Sequence, residues 1–191
     1  MALPAPRLTP KQYLENEQTA EYKSEYYRGE TFAMAGGSPR HARLGARLIN
    51  SIMNRLDGHD CEAYTSDVMV LTDADGLYTY PEMTIVCGPL VTAPDAPDVA
   101  INPKVIVEIL SKSTKAHDRG FKFQQYKQIE TLEQYILVLQ TEPLIESFFR
   151  DSTREWTGYG EAKGIRAKLT IKCFNIEVPL ADIYRLTDFE A

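Results

Sequence analysis

Val105-Ile106-Val107-Glu108-Ile109-Leu110 is a near-continuous apolar run broken by one carboxylate, and its reading decides the fold. Such a run forms a strand covered on both faces. Alternation then puts Glu108 on one face with Ile106 and Leu110, and Val105, Val107 and Ile109 on the other. An ionised carboxylate among apolar neighbours costs several kcal/mol, so it must be paired, protonated or bound to a metal. Three explanations stand: an ion pair with a lysine of the following helix, a strand end wetter than its apolar neighbours suggest, or metal ligation.

Working outward, residues 111–114 cap a helix that reaches about Ile129. Helical spacing aligns Asp118, Lys122, Tyr126 and Ile129 on one face, and the last two make that face an inward one. Residues 135–139 read as a second buried strand, 144–150 as an edge-type strand, and shorter strands follow around 154–159 and 167–171. Upstream, 62–71 and 78–86 are strand-like and joined by Thr72-Asp73-Ala74-Asp75-Gly76, whose Asp-Gly signals a hairpin. Residues 89–103, with four prolines, read as a connection. A long helix opens at Ser38-Pro39, carries Leu44, Leu48, Ile52 and Leu56 on one face with His41, and ends at Asp57-Gly58. Arg28-Gly29 sets an earlier hairpin, and Thr9-Pro10 starts a short helix to about Glu17. The expectation is an α/β (α+β) chain: a loose lead-in over 1–8, then one domain over 9–191 with a central mixed sheet flanked by helices.

Composition bounds the function. The 191 residues are 43% apolar and 25% charged, within the range of one globular domain. No stretch is apolar enough to span a membrane and the start lacks a secretory pattern, so a cytoplasmic protein with no membrane association is expected. Cys61, Cys87 and Cys173 are too scattered for a zinc cluster or a disulfide framework and read as reduced core thiols. A net charge of -6 argues against a general nucleic-acid coating protein. The charge is uneven, however: nine carboxylates and no Lys or Arg lie between Asp57 and Asp98, whereas six cations face two carboxylates between Lys104 and Lys127. That pattern fits either a cation site beside a polyanion site or ordinary solvated loops. Gly-rich phosphate loops, nucleophile elbows and dinucleotide fingerprints are lacking.

Besides Glu108, three residues carry candidate chemistry. Glu82, in Tyr80-Pro81-Glu82, starts a strand-like run, and if that strand neighbours the Glu108 strand the two carboxylates converge as oxygen ligands for a hard cation. Lys122, on the inward side of the next helix, can bring an ammonium to the same sheet end, where it could neutralise a scissile phosphate or position a water. Its plain alternative is a stem lying over apolar surface with the amine in solvent. His41, in the first turn of its helix, is either a satisfied core residue or a group facing a phosphate or carboxylate. Trp156, Tyr159 and the cations from Arg150 to Lys172 form either a backbone-tracking surface or a guarded sheet edge.

Taken together, Tyr80-Pro81-Glu82, Glu108-Ile109-Leu110-Ser111-Lys112-Ser113-Thr114 and Asp118-Arg119-Gly120-Phe121-Lys122 with Tyr126 resemble the Uma-type putative restriction endonuclease family, a branch of the PD-(D/E)XK nuclease superfamily. Glu25-Tyr26-Tyr27-Arg28-Gly29-Glu30, Met34, Ser38-Pro39-Arg40-His41 and Ser66-Asp67-Val68 extend the likeness over about 13–139. The resemblance implies a restriction-endonuclease-like fold and a Mg²⁺- or Mn²⁺-dependent endonuclease acting on DNA. It implies Glu82 and Glu108 as metal ligands, Lys122 as catalytic lysine, Glu25 as a supporting acid, and a homodimer. The chain departs from the superfamily pattern twice. Glu82 stands where Asp is usual, and Leu110 stands where the strand lysine is usual, so the lysine must have migrated to Lys122. The rival readings are a catalytically inactive module of the same fold that binds nucleic acid or a protein partner, and a structural scaffold whose carboxylates are paired with lysines.

Overall fold

The computed structural model describes residues 7–34, 36–111, 114–185 and 187. Most of the expected lead-in, 1–6, and Lys112 and Ser113 of the expected helix cap lie outside them. Thr9 caps α1 (Pro10–Glu17) by accepting from the Gln12 amide while the Gln12 side chain returns the bond. β1 (Ser24–Tyr27) and β2 (Glu30–Ala33) form the expected hairpin. Arg28 and Gly29 both take positive φ, 48° and 93°, as the tight turn that matches strand twist requires. In α2 (Pro39–Leu56), the Ser38 hydroxyl accepts from the His41 amide, and Leu44, Leu48, Ile52 and Leu56 are buried as their spacing predicts.

The two strands expected over 62–71 and 78–86 are each broken. A turn at Ser66 and Asp67 separates β3 (Cys61–Thr65) from β4 (Met69–Leu71), and a bend at Pro81 and Glu82 separates β5 (Tyr78–Thr79) from β6 (Met83–Cys87). The inner arms β4 and β5 pair in one sheet while the outer arms β3 and β6 pair in another. The proline-rich stretch also holds structure: β7 (Thr92–Ala93) and β8 (Ala96–Ala100). Toward β7 the ladder uses Ala96 and Ala100, and toward β4 it uses Val99 and Ala100. Pro97 therefore sits where no ladder bond is needed.

β9 (Val105–Leu110) leads into α3 (Lys115–His117), a π-helical turn (Asp118–Lys122) and α4 (Phe123–Tyr126), a shorter and more irregular helical run than the periodicity predicts. β10 (Gln134–Leu139), β11 (Leu144–Phe149) and β12 (Gly158–Lys163) follow, then β13 (Lys168–Ile171), β14 (Ile176–Pro179) and α5 (Leu180–Tyr184). β11 is interior rather than an edge, because β12 covers it. Gly158 permits this approach, since a Cβ there would lie 2.0 Å from the Phe149 ring.

Two mixed six-stranded sheets result, in the orders β2-β1-β5-β4-β8-β7 and β12-β11-β10-β9-β6-β3. β9 pairs in parallel with β10 and antiparallel with β6. Its two faces serve separate cores. Val105, Val107 and Ile109 meet Leu44, Leu48 and Ile52 of α2, while Ile106 and Leu110 meet Phe123, Tyr126 and Tyr135. Each fully buried aliphatic side chain contributes about 1.5–3 kcal/mol. A third core gathers Tyr13, Tyr26 and Tyr78, with Tyr13 and Tyr26 stacked at 4.9 Å. The mixed α/β class with sheets flanked by helices is as expected.

The cysteine expectation is corrected. Cys61 and Cys87 are direct register partners on β3 and β6, which brings their Cβ atoms together, and they are joined by a disulfide. Cys173 alone is a free thiol. No described helix is long and apolar enough to cross a membrane.

Candidate functional site

At the carboxyl end of β9 the alternation predicted for Glu108 holds, and the residue is only 5% exposed. Lys122, equally buried, donates to Glu108 Oε1 at 3.1 Å, and the Tyr126 hydroxyl donates to the same oxygen at 2.7 Å. The inward face of the helical run therefore delivers its lysine to the strand carboxylate. The π turn supplies Asp118 and Lys122 from a single widened turn, a device frequent at functional sites. Tyr135 anchors that turn by donating to the Asp118 carbonyl at 3.0 Å.

Glu25 reaches the same ammonium from the other sheet. Its Oε1 lies 2.7 Å from Lys122 Nζ and accepts from the Thr79 hydroxyl at 2.5 Å, while its Oε2 is 3.9 Å from His117 Nε2. Asp118 Oδ1 is 3.9 Å from Lys122 Nζ. Three buried carboxylates thus surround one ammonium. Burial would lower the Lys122 pKa, but Glu108, Glu25 and Asp118 together hold it above the ordinary lysine value. Burial pushes Glu108 up to about 7, against the opposing pull of Lys122. Asp118 is raised for the same reason.

Glu82 goes elsewhere. The β6–β9 ladder ends at Met83 and Val107, and one further step of that register sets Glu82 opposite Glu108. The bend at Pro81 and Glu82 takes it out of the strand, and Glu82 Oε1 pairs with His41 Nε2 at 2.9 Å rather than with Lys122. The hydrogen bond to Glu82 raises the His41 pKa, with burial opposing. A bond to the Ile109 backbone and the charge of Glu108 add to the rise, so the His41–Glu82 pair borders the Lys122 cluster electrostatically.

The structure therefore brings Glu25, Glu108 and Lys122 into contact and sets His41 with Glu82 beside them. Among the described residues, no group of three His, Cys, Asp or Glu side chains is placed to hold a metal ion. Thr79 and His117 were not legible as site residues. Thr79 belongs to a two-residue strand without a motif, and His117 lacks ligand spacing with any other histidine. Several cations of the C-terminal stretch are engaged within the fold. Arg150 donates to the Lys127 and Ile129 carbonyls and lies over Trp156, Lys168 pairs with Glu177, and Lys172 lies over the Phe149 ring.

Residues 10–166 match the family model described as Uma2, putative restriction endonuclease. The chain belongs to the Uma2 family. It is 35% identical over 153 residues to the uncharacterized protein slr1290 of Synechocystis sp., covering 80% of each chain. It is 29% identical over 149 residues to the uncharacterized protein sll1609 of the same organism, covering 78% of this chain and 84% of that one. Its fold is similar to the crystal structure of a putative nuclease belonging to DUF820 from Anabaena variabilis, with a TM-score of 0.74, 14% identity, and coverage of 93% and 97% of the two chains. The Uma2 chain has a restriction-endonuclease-like fold, and the Glu108–Lys122 pair lies within the residues matched by the family.

Proposed function

We propose that this Uma2 protein is a metal-dependent endonuclease that hydrolyses phosphodiester bonds, with DNA as substrate. Glu82 and Glu108 would hold Mg²⁺ or Mn²⁺, Glu25 would support them, and Lys122 would be the catalytic cation. The observation that carries the reading is the buried Lys122 ammonium held by Glu25 and Glu108 at the sheet end. A scaffold has little use for it, because buried ion pairs generally add no stability over apolar packing of the same volume. Every candidate ligand is a carboxylate oxygen, the donor type a hard cation takes, but Glu82 is paired with His41, so joining Glu108 around an ion would require that pair to open.

A bound ion of this kind polarises a phosphoryl oxygen and lowers the pKa of a bound water. The chain's own groups do the rest. Lys122, kept protonated by its carboxylates, presents positive charge where a phosphorane-like oxygen gains negative charge. Tyr126 fixes the orientation of Glu108 by donating to Oε1. Burial raises the Glu108 pKa to about 7, so its carboxylate becomes available as a ligand only around and above neutrality. His41 keeps Glu82 in place at the bend. The same proposal includes a homodimer, since cutting both strands of a duplex takes two such sites, and a cytoplasmic location.

A catalytically inactive module that binds nucleic acid or a protein partner is the second reading. It is favoured by the pairing of Glu82 with His41 away from Glu108, and by the lack, among the described residues, of three side chains placed to hold a metal ion. The deciding experiment incubates the purified protein with supercoiled plasmid and with single-stranded DNA in Mg²⁺ or Mn²⁺, beside folded Glu108→Gln and Lys122→Met variants and a chelated control. Cleavage that needs the metal and both side chains supports the nuclease. Absence of both cleavage and calorimetric metal binding in the wild type rejects it in favour of the inactive module.

A further inference from the structure

We propose that Tyr27, Phe32, His117 and Phe121 form a stacking platform that receives an unpaired nucleobase of a single-stranded polynucleotide beside the Lys122 cluster. The inference deepens the nuclease reading and rests on it for the role of the neighbouring cluster. Its basis is a set of rings around one carboxylate. Glu25 and Tyr27 are two residues apart on β1 and share a face. Phe32 is the direct register partner of Glu25 across the hairpin, so its ring stands on that face too. Phe121 meets the Tyr27 ring edge-on at 4.9 Å, and His117 lies 5.1 Å from Phe121. His117 Nε2 is in turn 3.9 Å from the carboxylate of Glu25, whose other oxygen touches Lys122.

These rings do not behave as core. Tyr13, Tyr26 and Tyr78 pack together and are buried, whereas Phe32 is 49% exposed on β2, an outer strand whose four residues are all exposed. The His117 side chain is 46% exposed. Tyr27 and Phe121 are half-buried, so the exposed surface is Phe32 and His117; an isolated exposed aromatic needs no explanation, but these two flank the Tyr27–Phe121 pair on the face that carries Glu25. The Arg28 guanidinium, 5.1 Å from the Tyr27 ring centre at the hairpin turn, adds a cation to the same rim. Aromatic faces with a nearby cation bind single strands because every base has a π-face to stack. A duplex withholds those faces in its own base stack, so the platform selects for unpaired nucleotides.

The test is equilibrium binding, at one fixed low salt and with chelator present, of a labelled oligothymidylate and of a strand of the same length whose sugars carry no bases. The expected result is binding of the oligothymidylate at least about fivefold tighter than the base-free strand. It should also bind more tightly than a duplex of equal length, and Phe32→Ala should reduce its affinity in the same direction. Equal affinity for the strands with and without bases, or no binding to either, overturns the platform. Because Phe32 is exposed and the base-free strand needs no variant, a folding defect cannot mimic that result. Chelated binding also separates this inference from the nuclease reading. Base-dependent binding without cleavage in metal keeps the platform and sinks the nuclease. Metal-dependent cleavage without base-dependent binding does the reverse.

Discussion

Replacing Lys122 by methionine keeps most of the stem's volume and removes the charge that Glu25, Glu108 and Asp118 surround. With Lys122 and Glu108 each 5% exposed and the contacts to Glu25 and Glu108 at 2.7 and 3.1 Å, water cannot take over the ammonium's role. The cluster must instead take up at least one further proton on folding. A carboxylic acid of ordinary pKa, about 4.3, accepts a proton at a cost of roughly 1.4 kcal/mol per pH unit above that value. The cost is therefore about 3.7 kcal/mol at pH 7 and about 1 kcal/mol at pH 5. The sign is fixed by linkage: the folded variant binds more protons than its unfolded chain, so its stability relative to wild type falls as pH rises. Urea unfolding of the two proteins at pH 5 and pH 7 measures both values by linear extrapolation. A loss that is the same at both pH values, or below about 1 kcal/mol at pH 7, would refute the picture of a buried cation neutralising buried carboxylates. In that event Lys122 is either solvated or merely filling space.

Relative to wild type, Glu108→Gln should gain stability as pH rises from 4.5 to about 7, because burial raises the Glu108 pKa above its ordinary value. The native state holds a proton that the unfolded chain releases, so Glu108 erodes stability as pH climbs from 4.5 to about 7; the gain should vanish below pH 4.5 in the same urea assay. Tyr126→Phe removes the 2.7 Å bond to Glu108 and should destabilise by about 1.5–3 kcal/mol, read as a shift in urea midpoint with an unchanged slope. In metal-free protein the His41 ring should titrate above its ordinary 6.5 by NMR and drop back toward it in Glu82→Gln. The contribution of that pair is complete below pH 6.5 and is lost as pH rises through the raised value. Cys61→Ser opens the link between residues 26 apart and should cost about 3–4 kcal/mol under oxidising conditions, and nothing when wild type and variant are compared in reductant.

Much of the fold was legible because its signals are local. The two-residue turn at Arg28-Gly29, the Ser38 cap and the leucine spacing of α2 each depend on neighbours a few positions away. The alternation of β9 is equally local, which is why the burial of Glu108 and the inward side of Lys122 follow from the sequence itself. Likewise, a carboxylate among apolar strand residues followed by a lysine on an inward helix face is a charge problem with few solutions.

Other features depend on pairings between segments far apart in the chain. Whether 62–71 is one strand or two rests on which sheet each half joins, and a turn at Ser66 and Asp67 sends the halves to different sheets. The disulfide follows from the β3–β6 register, which periodicity does not specify. Glu25 meets Lys122 across 97 positions of chain, and Thr79 donates to Glu25 from a two-residue strand because β1 and β5 lie side by side. The sequence by itself determined which side chains must be buried with charge and on which face of each element they stand, since strand and helix periods follow from backbone geometry. Only the tertiary structure decided their partners, uniting Glu108 with Glu25 through Lys122 and turning Glu82 aside to His41, because sheet register and the bend at Pro81 and Glu82 are set by long-range packing.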